Sequence, residues 1–233
     1  VNAHRVNAGL MPRLEPEVER VDFFFIPRDD PAEAAELAVD LAARRLPQRY
    51  GFDPVTDIQV LAPMHRGELG VIRLNERLQE VLTPPGRVIG WRRFRVGDKV
   101  MQVRNNYELE IFNGDLGRIE AINHGDRELA VRFDERTVVI AADDLEDVVP
   151  AYACTIHKAQ GSEYPAVVVV LHHQHHVMLQ RNLLYTAITR GQRLVVIVGS
   201  NRALARAVGN ATIRARYSLL AQRLASLPEA GTR

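Results

Sequence analysis

The sequence predicts an α/β protein in which a parallel sheet flanked by helices is interrupted by a small all-β insert. Two observations carry this reading. Short apolar runs alternate with helical patterns through the first 86 residues and again from about residue 150. Between about Arg87 and Val149 that grammar gives way to short alternating runs separated by polar turns. Charge is segregated along the chain: residues 87–104 sum to +5, residues 105–148 to −8, and residues 181–233 to +8. The expected organisation is a parallel α/β domain built from residues 1–86 and 150–233, with residues 87–149 as the insert.

The first strand is read at Asp22–Ile26, ended by Pro27. Asp30-Pro31-Ala32-Glu33 then gives three helix-start signals, an N-cap acid, a proline at the first helical position and a glutamate at the third. That helix is expected to run to about Leu46, before Pro47. A second strand at Asp57–Ala62 is closed by Pro63. Val71, Leu74, Leu78 and Val81 recur at helical spacing until Pro84-Pro85-Gly86. In the insert, Lys99–Val103, Arg118–Ile122, Leu129–Phe133 and Thr137–Ile140 read as strands of an antiparallel barrel or sandwich. Ala166–Leu171 and Leu194–Gly199 suit buried parallel strands, with helices over Val177–Ile188, Asn201–Val208 and Ile213–Leu227.

Composition excludes several classes. The 233 residues are 46% hydrophobic and 25% charged with a net charge of +1, unlike a disordered tail, a collagen-like repeat or a disulfide scaffold. No apolar run approaches the ~20 residues that span a bilayer, so no membrane partner is expected. The single cysteine, Cys154, cannot form an internal bridge, and a reducing, cytoplasmic setting is the default. The basic stripe beside an acidic block suggests a polyanion partner or a polar interdomain contact; for the acidic block a solvated face is the preferred reading.

Three segments carry chemistry. Thr155, His157 and Lys158 follow an apolar run, and the carboxyl ends of parallel strands are where ligands collect, with backbone N–H groups suited to phosphate oxygens. Glu163 is an acceptor able to hold a sugar hydroxyl. Arg190 ends a helix before Gly191. Its plain explanation is an arginine favoured at the negative helix terminus, and its functional one is an arginine finger. Arg66, in the basic turn Met64-His65-Arg66-Gly67, could clamp a phosphate bidentately. His172-His173-Gln174-His175-His176 lacks nearby thiolate or carboxylate partners and reads as a His-rich connection, so no metal site is assigned. Trp91 and Phe94 among arginines fit a stacking surface, but filling a small core is preferred; Asn105 and Asn106 suit either a turn cap or a DNA contact.

In order, Ala62-Pro63-Met64-His65-Arg66-Gly67, Thr155-Ile156-His157-Lys158-Ala159-Gln160-Gly161-Ser162-Glu163 and Tyr185-Thr186-Ala187-Ile188-Thr189-Arg190 resemble motifs IV, V and VI of superfamily 1 DNA helicases, most closely the RecD-like branch. Arg104-Asn105-Asn106-Tyr107 and Phe112-Asn113-Gly114-Asp115-Leu116-Gly117 resemble the SH3-like barrel this branch carries in its second motor domain. Asn2–Gly9 is similar to the segment just after motif III. The resemblance implies the carboxyl-terminal part of a 5′–3′ helicase: a RecA-like parallel sheet flanked by helices with a small inserted all-β SH3-like barrel. It implies ATP with Mg²⁺, bound mainly by a first RecA-like motor domain, and single-stranded DNA as partner. By resemblance, Arg190 is the finger on the γ-phosphate with Arg66 its partner, Gly161 and Glu163 meet the ribose side, and Thr155, His157, Lys158 and Asn105 meet DNA.

No G-x-x-x-x-G-K-[ST] loop is present, because Asp98 precedes Lys99 and His157 precedes Lys158. The chain alone is therefore expected not to hydrolyse ATP. The competing reading is a non-catalytic nucleic-acid or protein binding module. A complete hydrolase of another class has no nucleophile–base pair or paired carboxylate to support it.

Overall fold

The computed structural model describes residues 1–14, 22–83 and 94–211. Two five-stranded sheets organise them. The parallel sheet has the order β1-β10-β9-β2-β8, formed by Phe23–Pro27, Gly191–Gly199, Tyr164–Leu171, Ile58–Ala62 and Ala153–Thr155. The antiparallel sheet has the order β6-β5-β4-β3-β7, formed by Arg136–Ile140, Glu128–Phe133, Leu116–Asn123, Lys99–Gln102 and Val148–Pro150.

The parallel strands are apolar at nearly every position because both faces are covered, and their period of two sorts side chains between two cores. Val60, Val168 and Val196 pack with α2 (Pro31–Asp40) and α4 (Val71–Leu82). Leu61, Val169 and Ile197 face the other way, toward α5 (Arg181–Ile188) and α6 (Asn201–Gly209), with Val6 of α1 (Asn2–Asn7) in the same cluster. A third core, including Phe94, Val100, Ile119, Val131 and Ile140, fills the antiparallel unit. Phe94 is thus a core residue, while Trp91, the Pro84-Pro85-Gly86 stop and the helix expected over 213–227 lie outside the described residues.

Two helix boundaries differ from expectation. The helix begun at Asp30, whose carboxylate accepts from the Ala32 and Glu33 N–H groups, does not stop before Pro47. It widens into a π-turn over Leu41–Arg45, with Leu46 N–H bonded to the Leu41 carbonyl. It then continues as α3 (Leu46–Tyr50) to a left-handed Gly51 at φ 72°. A proline inside a helix lacks a donor and crowds the carbonyl four residues back; the π-turn absorbs that mismatch without ending the helix. The second difference is α5, which starts at Arg181 rather than Val177, because residues 177–180 form a turn and an extended approach to the helix cap at Gln180, after a 3-10 turn at His173–His175.

The insert is welded to the parallel domain by polar as well as apolar contacts. Asp98, fully buried, accepts from the Gln79 side chain at 2.6 Å, the Arg95 N–H at 2.7 Å and the Tyr152 hydroxyl at 3.0 Å. Tyr152 in turn lies 2.5 Å from the Thr83 hydroxyl. Within the parallel domain, Asn75 of α4 lines the edge strand β8, giving one bond to the Ala153 carbonyl and taking one from its N–H, each 2.8 Å. Successive residues of β3 serve different cores: Val100 packs into the insert and Met101 into the parallel domain.

Candidate functional site

Strand register decides which predicted residues can act together. Gly191, which opens β10, lies level with Tyr164 of β9. Ala166 of β9 is level with Ile58 of β2, which ends at Ala62. About 6 residue steps at ~3.3 Å each therefore separate the start of β10 from the end of β2, roughly 20 Å along the strands. Arg190 sits at the first level, and Arg66 sits beyond the second, in the turn that feeds α4. The backbones of these two arginines thus stand toward opposite ends of the strands. The structure distributes the predicted residues between two edges of the sheet.

At the amino edge are Gly161, Glu163 and Arg190. The Arg190 side chain donates from Nε to the Thr186 carbonyl at 3.1 Å, from Nη1 to the Ser162 carbonyl at 2.8 Å, and from Nη2 to the Thr189 hydroxyl at 3.2 Å. The bond to Thr186 satisfies a carbonyl of its own helix end, so the plain explanation for this arginine is realised. All three acceptors are neutral, so its positive charge is paired with no carboxylate among the described residues. Two of its five N–H groups keep no partner there. Glu163 is exposed and accepts from Gln192 at 3.0 Å. Gly161, at φ 89° with nothing within 4 Å of a would-be Cβ, supplies the left-handed residue the turn needs.

At the carboxyl edge are Thr155, His157, Lys158 and Arg66. Thr155 is buried; its hydroxyl accepts the Lys158 N–H at 3.2 Å and its carbonyl accepts the Ala159 N–H at 3.1 Å, so its first task is to cap the turn. Its O–H remains able to donate into a cavity of about 570 Å³ lined also by His65, Met101, Val149 and Lys158. His157 and Arg66 are exposed. Lys158 Nζ donates to Asn113 Oδ1 at 3.2 Å, the Asn113 N–H donates to Asn105 Oδ1 at 2.9 Å, and Asn105 Nδ2 donates to the Tyr107 hydroxyl at 3.2 Å. The insert thus delivers Asn105 to the edge that holds Lys158.

One turn joins the two edges. From Thr155 the bonds run through Ala159 N–H to the Thr155 carbonyl and Ser162 N–H to the Ala159 carbonyl, and Arg190 closes on the Ser162 carbonyl. Sequence spacing does not reveal Ser162 or Asn113 as linkers, because their partners lie 28 and 45 residues away.

Other candidates resolve as structure. Lys99, counted in the basic stripe, is buried, with Nζ 3.3 Å from the Ile58 carbonyl and 5.6 Å from the Tyr164 ring centroid. Burial pushes its pKa down to about 8 and that of neighbouring Cys154 up to about 12. His172 is buried with Nε2 2.8 Å from the Asp29 carbonyl, and burial pushes His175 down to about 4. Among the described residues no group of three or more His, Cys, Asp or Glu is arranged to hold a metal ion. No helix there is long and apolar enough to cross a membrane.

Comparison with known proteins gives two family matches along the chain. The family model for the SH3 domain of ATP-dependent RecD-like DNA helicases matches residues 74–133, and that for the UvrD-like helicase carboxyl-terminal domain matches residues 150–198. The ATP-dependent RecD2 DNA helicase of Deinococcus radiodurans is 42% identical over 145 residues, covering 61% of this chain and 20% of that protein. Both parts of the chain are thus similar to RecD-like helicases. The RecD subunit of the Mycobacterium tuberculosis RecBCD enzyme is 33% identical over 214 residues, covering 89% of this chain and 36% of that protein. This RecD-like chain therefore spans about a fifth to a third of the length of these curated relatives and corresponds to the helicase carboxyl-terminal region. The crystal structure of a Bacteroides Pif1 helicase in complex with ADP-AlF3 and single-stranded DNA shares the fold, with a TM-score of 0.53 at 18% identity over 100% of this chain and 55% of that one.

Proposed function

We propose that this RecD-like region is the second motor half of an ATP-dependent 5′–3′ DNA helicase, completed by a first RecA-like motor domain. In this reading Arg190 meets the γ-phosphate across the interface and Gly161 and Glu163 face the ribose side. Thr155, His157, Lys158 and Asn105 contact single-stranded DNA. The observation that carries the reading is the Arg190 guanidinium, held by three neutral acceptors with its charge uncompensated among the described residues.

Such a group fits a nucleotide phosphate: it is oriented by its own helix end and needs no carboxylate to be displaced before it meets an anion. Bound ATP supplies the phosphoryl bond and Mg²⁺, held chiefly by the first domain, offsets its charge. Arg190 adds a fixed cation where negative charge builds on the γ-phosphoryl oxygens. With ~20 Å between edges, Arg66 is better suited to the DNA backbone beside His157 and Lys158 than to the same phosphate as Arg190. The bonded turn from Thr155 to Ser162 supports coupling, since a shift of the DNA-side turn moves an acceptor of Arg190. Lacking the phosphate loop, the chain alone is expected not to hydrolyse ATP.

The test joins this chain to a first motor domain and measures DNA-stimulated ATP hydrolysis. Arg190→Ala is expected to lower it by about 10³-fold or more, the scale of an arginine finger, with the circular dichroism spectrum unchanged. Activity within about tenfold of the parent, with the same fold, rejects the motor role and leaves a binding module.

A further inference from the structure

Resting on the reading of the carboxyl edge as the DNA surface, we propose that Tyr107 and Phe112 form a platform on which a nucleobase of the bound single strand stacks, while the motor turn holds its phosphates. The two rings sit on a hairpin of the insert closed by the Asn106–Ile111 bridge, whose residues exchange N–H···O bonds of 2.8 and 3.0 Å. Tyr107 is 76% exposed and Phe112 45% exposed, and they meet edge to face with centroids 6.2 Å apart. A core aromatic pair would be covered. This one is held rigid and left in solvent.

Its surroundings select the occupant. Asn105 bonds the Tyr107 hydroxyl and the Asn113 N–H, and Asn113, next to Phe112, accepts from Lys158, so a chain of contacts fixes the platform beside the motif turn. The hairpin itself carries Glu108 and Glu110, the latter paired with Arg136 at 3.2 Å, and Asp115 accepts the Phe112 N–H at 2.7 Å, so acids still outnumber bases there. Carboxylates repel phosphates, whereas Lys158, with His157 and Arg66 on the same edge, attracts them. A single strand crossing this seam lowers its energy by turning its backbone to the motor turn and its bases to the insert, where aromatic faces accept any base. The acidic hairpin is thus an orienting element: it excludes the backbone from the rings.

The experiment measures binding of the full 233-residue chain to fluorescent oligothymidylate and to an abasic strand of equal length and charge, across a series of salt concentrations. The parent is expected to bind the base-bearing strand at least tenfold more tightly. Tyr107→Ala or Phe112→Ala should remove most of that preference, a loss of about tenfold, without altering the salt slope, and Tyr107→Phe should keep it. Lys158→Ala should instead weaken both strands and lower the slope by about 0.7. Equal affinity for both strands, or aromatic variants that retain the base preference, overturns the platform while leaving the DNA surface standing; base-independent weakening by Tyr107→Ala does the same. No binding of either strand overturns the DNA surface and the platform together.

Discussion

Lys99→Met tests whether the insert is fastened to the parallel domain at an electrostatic cost. Lys99 is 5% exposed, and burial, opposed by the weaker pull of Cys154, Asp53 and Asp57, lowers its pKa from 10.5 to about 8. A folded-state pKa below the unfolded one means that the unfolded chain binds the proton more tightly. The cost is therefore fully present below pH 8, and it is relieved as pH rises from 8 toward 10.5. The shift corresponds to about 3 kcal/mol. Methionine keeps the apolar stem but loses the Ile58 carbonyl bond, about 1 kcal/mol. At pH 7 the variant should therefore be about 2 kcal/mol more stable, or some 5 °C in Tm at this size. Comparing variant and parent by urea denaturation at pH 7, 8, 9 and 10 isolates the lysine. Cys154, whose pKa is raised from 9.0 to about 12, acts oppositely above pH 9 but equally in both proteins. The advantage should shrink steadily above pH 8. A variant less stable at pH 7, with a difference that does not change with pH, refutes the reasoning.

Asp98→Ala removes the buried carboxylate that the Gln79 amide, the Arg95 N–H and the Tyr152 hydroxyl share, and should cost about 3 kcal/mol in chemical denaturation. Asn75→Leu strands both backbone groups of Ala153 and should cost about 2 kcal/mol, with protection of the Ala153 amide against hydrogen exchange lost before that of β9. Cys154, buried with its thiol pushed up to about 12, should resist alkylation at pH 8 until the chain unfolds; rapid labelling of the native protein in mass spectrometry contradicts that burial. Gly161→Ala should cost about 1 kcal/mol or more through backbone strain alone, because space around it is open. In the complex with a first motor domain it should weaken the coupling of ATP hydrolysis to DNA more than it weakens DNA binding.

Much of this architecture is legible in the residues because local and global preferences agree. Asp30-Pro31-Ala32-Glu33 starts its helix as its capping chemistry demands, and the valine runs of β9 and β10 are buried on both faces. Pro47 misleads because a π-turn, a solution with no local signature, lets the helix pass through it. The site is legible in its parts but not in its partition. Spacing says that Thr155 and Arg66 follow strands and that Arg190 ends a helix; only the register of β2, β9 and β10 separates Arg190 from the others. Lys99 misleads for a related reason. The nearest basic residues in sequence, Arg95 and Arg104, are arginines of the same stripe, but β3 points the Lys99 side chain at the Ile58 carbonyl of another sheet.

The strand β3 gives Val100 to one core and Met101 to another, while Lys99 and Asp98 bond across the same seam. Neither unit can melt without exposing part of its neighbour, so heating should give a single calorimetric peak rather than two. An insert cut out for expression by itself would carry a raw flank at Asp98 and Lys99, and the parallel domain stripped of it would lose Met101 from its own core. Whatever load the insert takes up is passed to the parallel domain through Asp98, Lys99 and Met101, which bond and pack directly across the seam.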